Sequence, residues 1–239
     1  MVVSFVASCH AIFREPTMKN LAFYTVFTGG DNNPSYAIPP VQQGYDNYFF
    51  TNNQKLLNDL KHTPWRSIYI EEKSSLDSVS SAMASKPLKV NPFLNNILSE
   101  YDYTCYYDTK LPRFNLLKVK EIIKDQTFSL AMRNHYFLQP KVYDEYNESM
   151  LQGRYAKQRN QILNYIAKME SKGLAIETPY HLITGFIVRN MKHPQTKSIC
   201  ETWLEHVKEC GIQCQISMFF VKQLFDAKCF RVLPDSEIF

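Results

Sequence analysis

The constraint that weighs most is a run of β-branched and aromatic residues, Tyr103-Thr-Cys-Tyr-Tyr107, with no glycine or proline in it and an acid, Asp108, directly after it. Such a run reads as a strand. It shows no alternation of apolar and polar residues, so both of its faces are covered, as in the middle of an α/β sheet. Asp108 arrives where the strand runs out, and Thr109-Lys110-Leu111-Pro112 follows, whose proline cannot continue a ladder. Open α/β sheets place ligand chemistry just beyond the carboxyl ends of central strands. Asp is also a common turn cap, so this stretch alone leaves both readings open.

The remaining chain supplies the sheet this strand needs. Residues 21–27 read as another buried strand, opening into Thr28-Gly29-Gly30-Asp31. Free backbone N–H groups in such a turn can hold a base or a phosphate, although from this stretch alone a plain turn is the favoured reading. Neither G-x-G-x-x-G nor the Walker spacing is present, so dinucleotide and P-loop chemistry are not supported. Further strands are expected over 46–51, 65–70, 128–132 and 182–188, and the tail from Cys229 suits an edge strand.

Helices are expected from a cap at Thr51 or Asn52 through His62, over 93–100, from Asn115, from Val142 to Lys172 with Gly173 as the stop, from Pro194 to Gly211, and over 216–225. Residues 71–85 are polar and serine-rich and read as a mobile loop. The mildly apolar start, 1–13, reads as an extra strand or a tucked arm; it lacks a basic flank and fails as a signal peptide. Strands alternating with helices argue for one three-layer α/β domain with a mixed, mostly parallel sheet.

Composition narrows the function classes. The 239 residues carry a formal charge of +4 with Lys and Arg scattered among acids, too weak a footprint for nucleic acid. No apolar run reaches membrane-spanning length, so a soluble protein without a membrane span is expected. Six cysteines at irregular spacing, in a chain long enough to need no staples, read as reduced thiols, most of them in the core. Cys210 and Cys214 have no second ligand pair at zinc-site spacing, so a structural metal is not expected there.

Several polar residues fall just past strand ends: Asp31, Asp108, His135 and Arg189. In a mostly parallel sheet they converge on one edge, and Asp144 and Glu145 open the helix that follows His135. An acid, a base candidate and an arginine around a cleft suit group transfer from a phosphorylated donor: the acid binds sugar hydroxyls or a metal, a second carboxylate deprotonates an acceptor, and the arginine offsets the leaving diphosphate. Each residue also has a plain structural use: bracing a loop, surface pairing, or favouring a helix start.

The order of motifs resembles a known family. Phe23-Tyr-Thr-Val-Phe-Thr-Gly-Gly-Asp31 is similar to the opening strand of glycosyltransferases with a GT-A-like fold. The later pieces are Tyr48-Phe-Phe-Thr51, Trp65, Lys89-Val-Asn-Pro92, Tyr106-Tyr-Asp108, His135, Tyr143-Asp-Glu145, Gly185-Phe-Ile-Val-Arg189, Trp203 and Gln215-Ile-Ser217. Together they resemble the hexosyltransferase-like family that includes plant Golgi mucilage and turgor-regulation proteins, bacterial members and proteins of large algal viruses.

The resemblance implies transfer of a hexosyl or pentosyl group from a nucleotide-sugar donor, a UDP-sugar favoured, to a hydroxyl of a glycan or glycoprotein. It implies a nucleotide-sugar-binding half over about 1–110 and an acceptor-side half over about 111–239 of a single domain. Donor-binding residues would be Thr28, Gly29, Gly30, Asp31, Lys89, Asp108, Arg189 and Gln215, and catalytic candidates Glu145, Asp144 and His135. Asp108 stands in the place of a metal- or sugar-binding acid, for Mn²⁺ or Mg²⁺. Two departures are visible: Asp108-Thr-Lys110 has a lysine where a D-x-D motif has its second carboxylate, and Gln213-Cys214-Gln215 stands where the family carries an Arg-Asp-Gln-like run. Without a Golgi anchor, the cytoplasm, of a host cell if the protein is viral, is the expected location.

Overall fold

A computed structural model describes residues 21–30, 37–71, 77–111, 114–135 and 141–234. The expected arm or strand over 1–13 and the turn residue Asp31 lie outside these described residues. In chain order the strands are β1 Leu21–Phe27, β2 Asp46–Thr51, β3 Arg66–Tyr69, β4 Tyr103–Tyr107, β5 Leu130–Asn134, β6 Leu182–Asn190 and β7 Phe230–Leu233. The α-helices are α1 Gln54–Leu60, α2 Ser78–Val90, α3 Asn96–Ser99, α4 Leu116–Ile122, α5 Val142–Met150, α6 Gly153–Ala156, α7 Arg159–Ser171, α8 Thr196–Cys210 and α9 Cys214–Val221.

The strands form one seven-stranded sheet in the order β3-β2-β1-β4-β6-β5-β7. β1 pairs in parallel with both β2 and β4, so the chain leaves β1 to one side and returns on the other. The carboxyl ends of β1 and β4 therefore flank a topological switch point, where a crevice opens in α/β sheets. β6 breaks the pattern, running antiparallel to β4 and to β5.

The sheet is covered on both faces, and strict alternation along each strand sorts the side chains. From β1 and β4, Ala22, Tyr24, Val26 and Tyr106 join Trp203 and Val207 of α8 and Met218 of α9 on one face. Phe23, Cys105 and Tyr107 join Leu56 and Leu60 of α1 and Val119 and Ile122 of α4 on the other. Trp203 is fully buried, and its indole N–H donates to Ser217 Oγ at 3.0 Å. Truncating it to alanine would cost about 3–5 kcal/mol. A third cluster packs α5, α7 and α9 together through Val142, Ile166, Met169 and Phe220.

Three expectations about the helices fail, the first being the helix over 93–100, which is a 3₁₀ turn, Pro92–Leu94, and the short α3 with the extended Asn95 between them. Residues 78–90, which begin inside the serine-rich segment and run past it, form α2, where a mobile loop is expected to reach Ser85. Asp77 caps it by accepting the Ser80 N–H, and tertiary bonds hold the rest: Thr28 Oγ1 donates to the Ser81 carbonyl and Tyr24 OH to that of Leu88 at 3.2 Å. The single helix expected from Val142 to Lys172 is three, α5, α6 and α7. The breaks follow Met150 and Ala156, and Gly173 ends α7 at a φ of +84°.

Candidate active site

A pocket of about 700 Å³ lies at the carboxyl ends of β1 and β4. Its floor is the end of β4: Tyr106, Asp108, Thr109 and Lys110. One wall is the turn after β1, with Thr28 and Gly30; another is the face of α2 that repeats at helical spacing, Ser78, Ser81, Ala82, Ser85, Lys86 and Lys89. Arg154 and Tyr155 of α6, Thr184 of β6 and the start of α9 from Gln213 to Gln215 close the other side.

Asp108 is the acid at the centre. Its N–H extends the β4–β6 ladder by donating to the Gly185 carbonyl at 2.9 Å. Its side chain is 42% exposed, while that of its partner Lys89 is 7% exposed. Lys89 Nζ lies 3.1 Å from Oδ1, and Tyr106 OH donates to the same oxygen. Enclosure alone would raise the Asp108 carboxyl; Lys89, Tyr106 and Lys86 outweigh it and hold the group below its ordinary value. Enclosure likewise disfavours the Lys89 ammonium, and the Asp108 charge reverses that and raises it. Both partners therefore remain ionised at neutral pH.

Lys86, one turn before Lys89, is buried and points its ammonium at Cys214 Sγ, 3.6 Å away. Burial lowers its affinity for a proton. Cys214 is the first residue of α9, with Thr184 Oγ1 3.0 Å from its sulfur. Burial would raise the thiol, but Lys86 and Lys89 more than offset that and bring it below its ordinary value.

The structure brings Thr28, Gly30, Lys89, Asp108 and Gln215 to one cavity. Gly29 adjoins it, but its N–H is already used, donating to Asn52 Oδ1 at 2.9 Å, and Asn53 Nδ2 donates to the Gly30 carbonyl at 2.8 Å. The Gly29-Gly30 turn is thus braced from the end of β2.

Arg189 is elsewhere. Because β6 runs antiparallel, Arg189 pairs with Thr104 at the opposite end of β4 from Asp108. It is fully buried, donating from Nη1 to Tyr24 OH at 3.0 Å and from Nη2 to the Lys89 carbonyl at 2.6 Å. His135 follows β5 on the carboxyl edge, with β6 between it and β4, and its N–H donates to the His181 carbonyl at 2.6 Å.

Glu145 lies one layer behind the pocket. It is buried, and Gln213 Nε2, from the pocket wall, donates to its Oε1 at 2.6 Å. Burial pushes its carboxyl up to about 7 despite hydrogen bonds from Ser149 and Gln215. Its Oε2 is 3.9 Å from His181 Nε2, and burial lowers that imidazole to about 3. Asp144 shares this turn of α5 and has Oδ2 buried with no hydrogen-bond partner among the described residues.

The residues the sequence reading missed are Lys86, Arg154, Tyr155 and Thr184. The available signal was Ser78-x-x-Ser81-x-x-x-Ser85-Lys86-x-x-Lys89, a single helical face, but it depends on recognising a helix through four serines and Pro87.

Among solved structures, the apo form of mouse xyloside xylosyltransferase 1 matches with a TM-score of 0.51 at 11% identity, covering 89% of this chain and 84% of that one. The mannosyltransferase Ktr4p from S. cerevisiae matches with 0.48 at 10%, covering 94% and 71%. The WbbM bifunctional glycosyltransferase matches with 0.47 at 12%, covering 92% of this chain and 40% of that one. No family model and no curated protein matches the sequence. At such identity the likeness is one of fold: the mixed seven-stranded sheet with flanking helices is GT-A-like. Among the described residues, no helix is long and apolar enough to cross a membrane.

Proposed function

We propose that the chain is a glycosyltransferase that moves a sugar from a nucleotide-sugar donor to a hydroxyl of a glycan or glycoprotein. The observation that carries this reading is the placement of Asp108. It is a partly exposed, ionised acid at the carboxyl end of β4, opening on the switch-point pocket and fixed by Lys89 and Tyr106 at one oxygen. Its other oxygen is then available to accept hydrogen bonds from sugar hydroxyls, and the Thr28–Gly30 turn would take the nucleotide. The order of sequence motifs, which resembles that of the hexosyltransferase-like family, is in line with the same reading.

One specific observation favours a second reading. Asp108 is the one carboxylate on the described wall, with Glu145 separated from the pocket by Gln213. A catalytically reduced protein that binds carbohydrate would look the same. A screen of UDP-, GDP-, CMP- and dTDP-sugars by thermal shift, followed by donor hydrolysis and transfer assays, separates the two. A ligand that binds the native state raises the midpoint by mass action. A shift with turnover, both lost in Asp108→Ala, supports the enzyme. Carbohydrate binding without turnover supports the second reading, and no shift with any donor sinks the first.

A further inference from the structure

The described pocket wall carries four cationic side chains, Lys86, Lys89, Lys110 and Arg154, against the single carboxylate of Asp108. One of the four is paired with that acid. Lys86 is the most informative, because a buried ammonium is normally matched by a carboxylate. Its ammonium lies instead 3.6 Å from the Cys214 sulfur. Arg154 lies close enough for its charge to help lower Lys86, and it stays on the rim with its guanidinium 4.7 Å from the centre of the Tyr155 ring. Lys86 and Lys89 are buried one turn apart on α2, Lys110 and Arg154 are exposed at the end of β4 and on α6, and all four line the space around Asp108.

A divalent cation fits this set poorly. Mn²⁺ and Mg²⁺ take about six oxygen ligands, among them one or two carboxylates free to coordinate. Asp108 Oδ1 already accepts from Lys89 and Tyr106, and the residue two positions on is Lys110. No group of three or more His, Cys, Asp or Glu side chains able to hold a metal occurs among the described residues. A cation placed here would also face four like charges.

We propose that this cluster is a metal-independent diphosphate site. Lys86, Lys89, Lys110 and Arg154 neutralise the two phosphates of a nucleoside diphosphate and, in transfer, the charge that develops on them as the sugar leaves. The inference rests on the donor-binding reading above and goes beyond it by assigning the charge compensation to side chains. Lys86 gains most: it is already desolvated, so an entering phosphate oxygen meets an ammonium that need shed no water.

Isothermal titration of the whole chain with UDP, UMP and inorganic pyrophosphate, each in excess EDTA and in millimolar Mn²⁺ or Mg²⁺, tests it. Pyrophosphate makes the test independent of the base. The expected result is that UDP and pyrophosphate bind in EDTA, that metal tightens neither by more than a few-fold, and that UMP binds at least about tenfold more weakly than UDP. Lys110→Met and Arg154→Met change exposed positions and should keep the wild-type melting temperature. Each should weaken diphosphate binding by about tenfold, as loss of one charge-assisted hydrogen bond predicts. Binding that appears only with Mn²⁺ or Mg²⁺, or that both variants leave unchanged, overturns the metal-independent site and leaves the donor reading standing. Absence of UDP and pyrophosphate binding under both conditions overturns this inference, and the sugar-nucleotide screen then decides the donor reading on its own.

Discussion

A methyl group on Gly185 would lie 3.0 Å from Oδ2 of Asp108. The contact is tight because the two residues are neighbours across the β4–β6 pair, joined by the Asp108 N–H bond to the Gly185 carbonyl. Oδ1 of the same carboxylate is held by Lys89 and Tyr106, so the group cannot turn away freely. Gly185→Ala should therefore displace the carboxylate by a few tenths of an ångström and loosen its bond to Lys89. Alanine suits a strand interior better than glycine by about 0.5–1 kcal/mol, so fold stability should be nearly unchanged. The Asp108 carboxyl should then titrate at higher pH than in the wild type, as followed by carbon NMR, and UDP should bind several-fold more weakly. Identical titration and binding would show that the glycine is not needed there.

Arg189 supports the pocket from below. Its guanidinium holds the Lys89 and Val90 carbonyls and the Tyr24 hydroxyl, fixing the carboxyl end of α2 over β1. Arg189→Met would strip these buried groups of the guanidinium donor, leaving Tyr24 OH as the remaining donor to the Lys89 carbonyl, at roughly 1–3 kcal/mol for each group left unsatisfied. The expected outcome is a loss of about 3 kcal/mol or more in denaturant unfolding, with Arg189→Lys recovering part of it. An arginine contacting the diphosphate directly would behave the opposite way: binding would fall and the unfolding curve would stay in place.

These two residues also show what the sequence could and could not disclose. The 21–27 and 103–107 strands were legible because burial on both faces leaves an uninterrupted apolar run, and Asp108 was legible because it ends one. Strand direction was not: a central strand reads the same whichever way it runs. The sequence therefore points Arg189 to the carboxyl edge, whereas the antiparallel course of β6 carries it to the other end of β4. α2 was hidden by four serines and Pro87, which lower helix propensity. Bonds from Tyr24, Thr28 and Arg189, distant in sequence, hold it instead, and with it went Lys86.

Cys214 should be more reactive than Cys105, Cys200 and Cys210. Burial raises Cys105, Cys200 and Cys210, whereas Lys86 and Lys89 bring Cys214 below its ordinary value, and it borders the pocket. The thiolate is the nucleophile, so alkylation by iodoacetamide, mapped by mass spectrometry, should label Cys214 before these three and begin at lower pH than for a free cysteine. Lys86→Met removes the nearest cation and should move that onset to higher pH. Equal labelling of Cys214 and Cys105 in the native protein would refute the assignment.

Glu145 sets a pH dependence of stability. Burial holds its carboxyl at about 7 in the native state, against an ordinary value of 4.5. Between these values the native protein keeps a proton that the unfolded chain has released. The free energy of unfolding therefore falls as pH rises through this window, at about 1.4 kcal/mol per unit of separation. The full loss is about 3 kcal/mol, absent below pH ~4.5 and complete above pH ~7. Glu145→Gln keeps a carbonyl for the Gln213 N–H and cannot ionise. Its unfolding free energy should match the wild type near pH 4 and exceed it by about 3 kcal/mol at pH 8. Ser149, Gln213, Gln215, His181 and the like-charged Glu148 are polar neighbours of Glu145. With His181 lowered to about 3, no positive charge arises beside the carboxylate in this range to oppose the trend. Parallel stability curves for the two proteins from pH 4 to 8 would mean that Glu145 is ionised throughout, with a counter-charge supplied at its side.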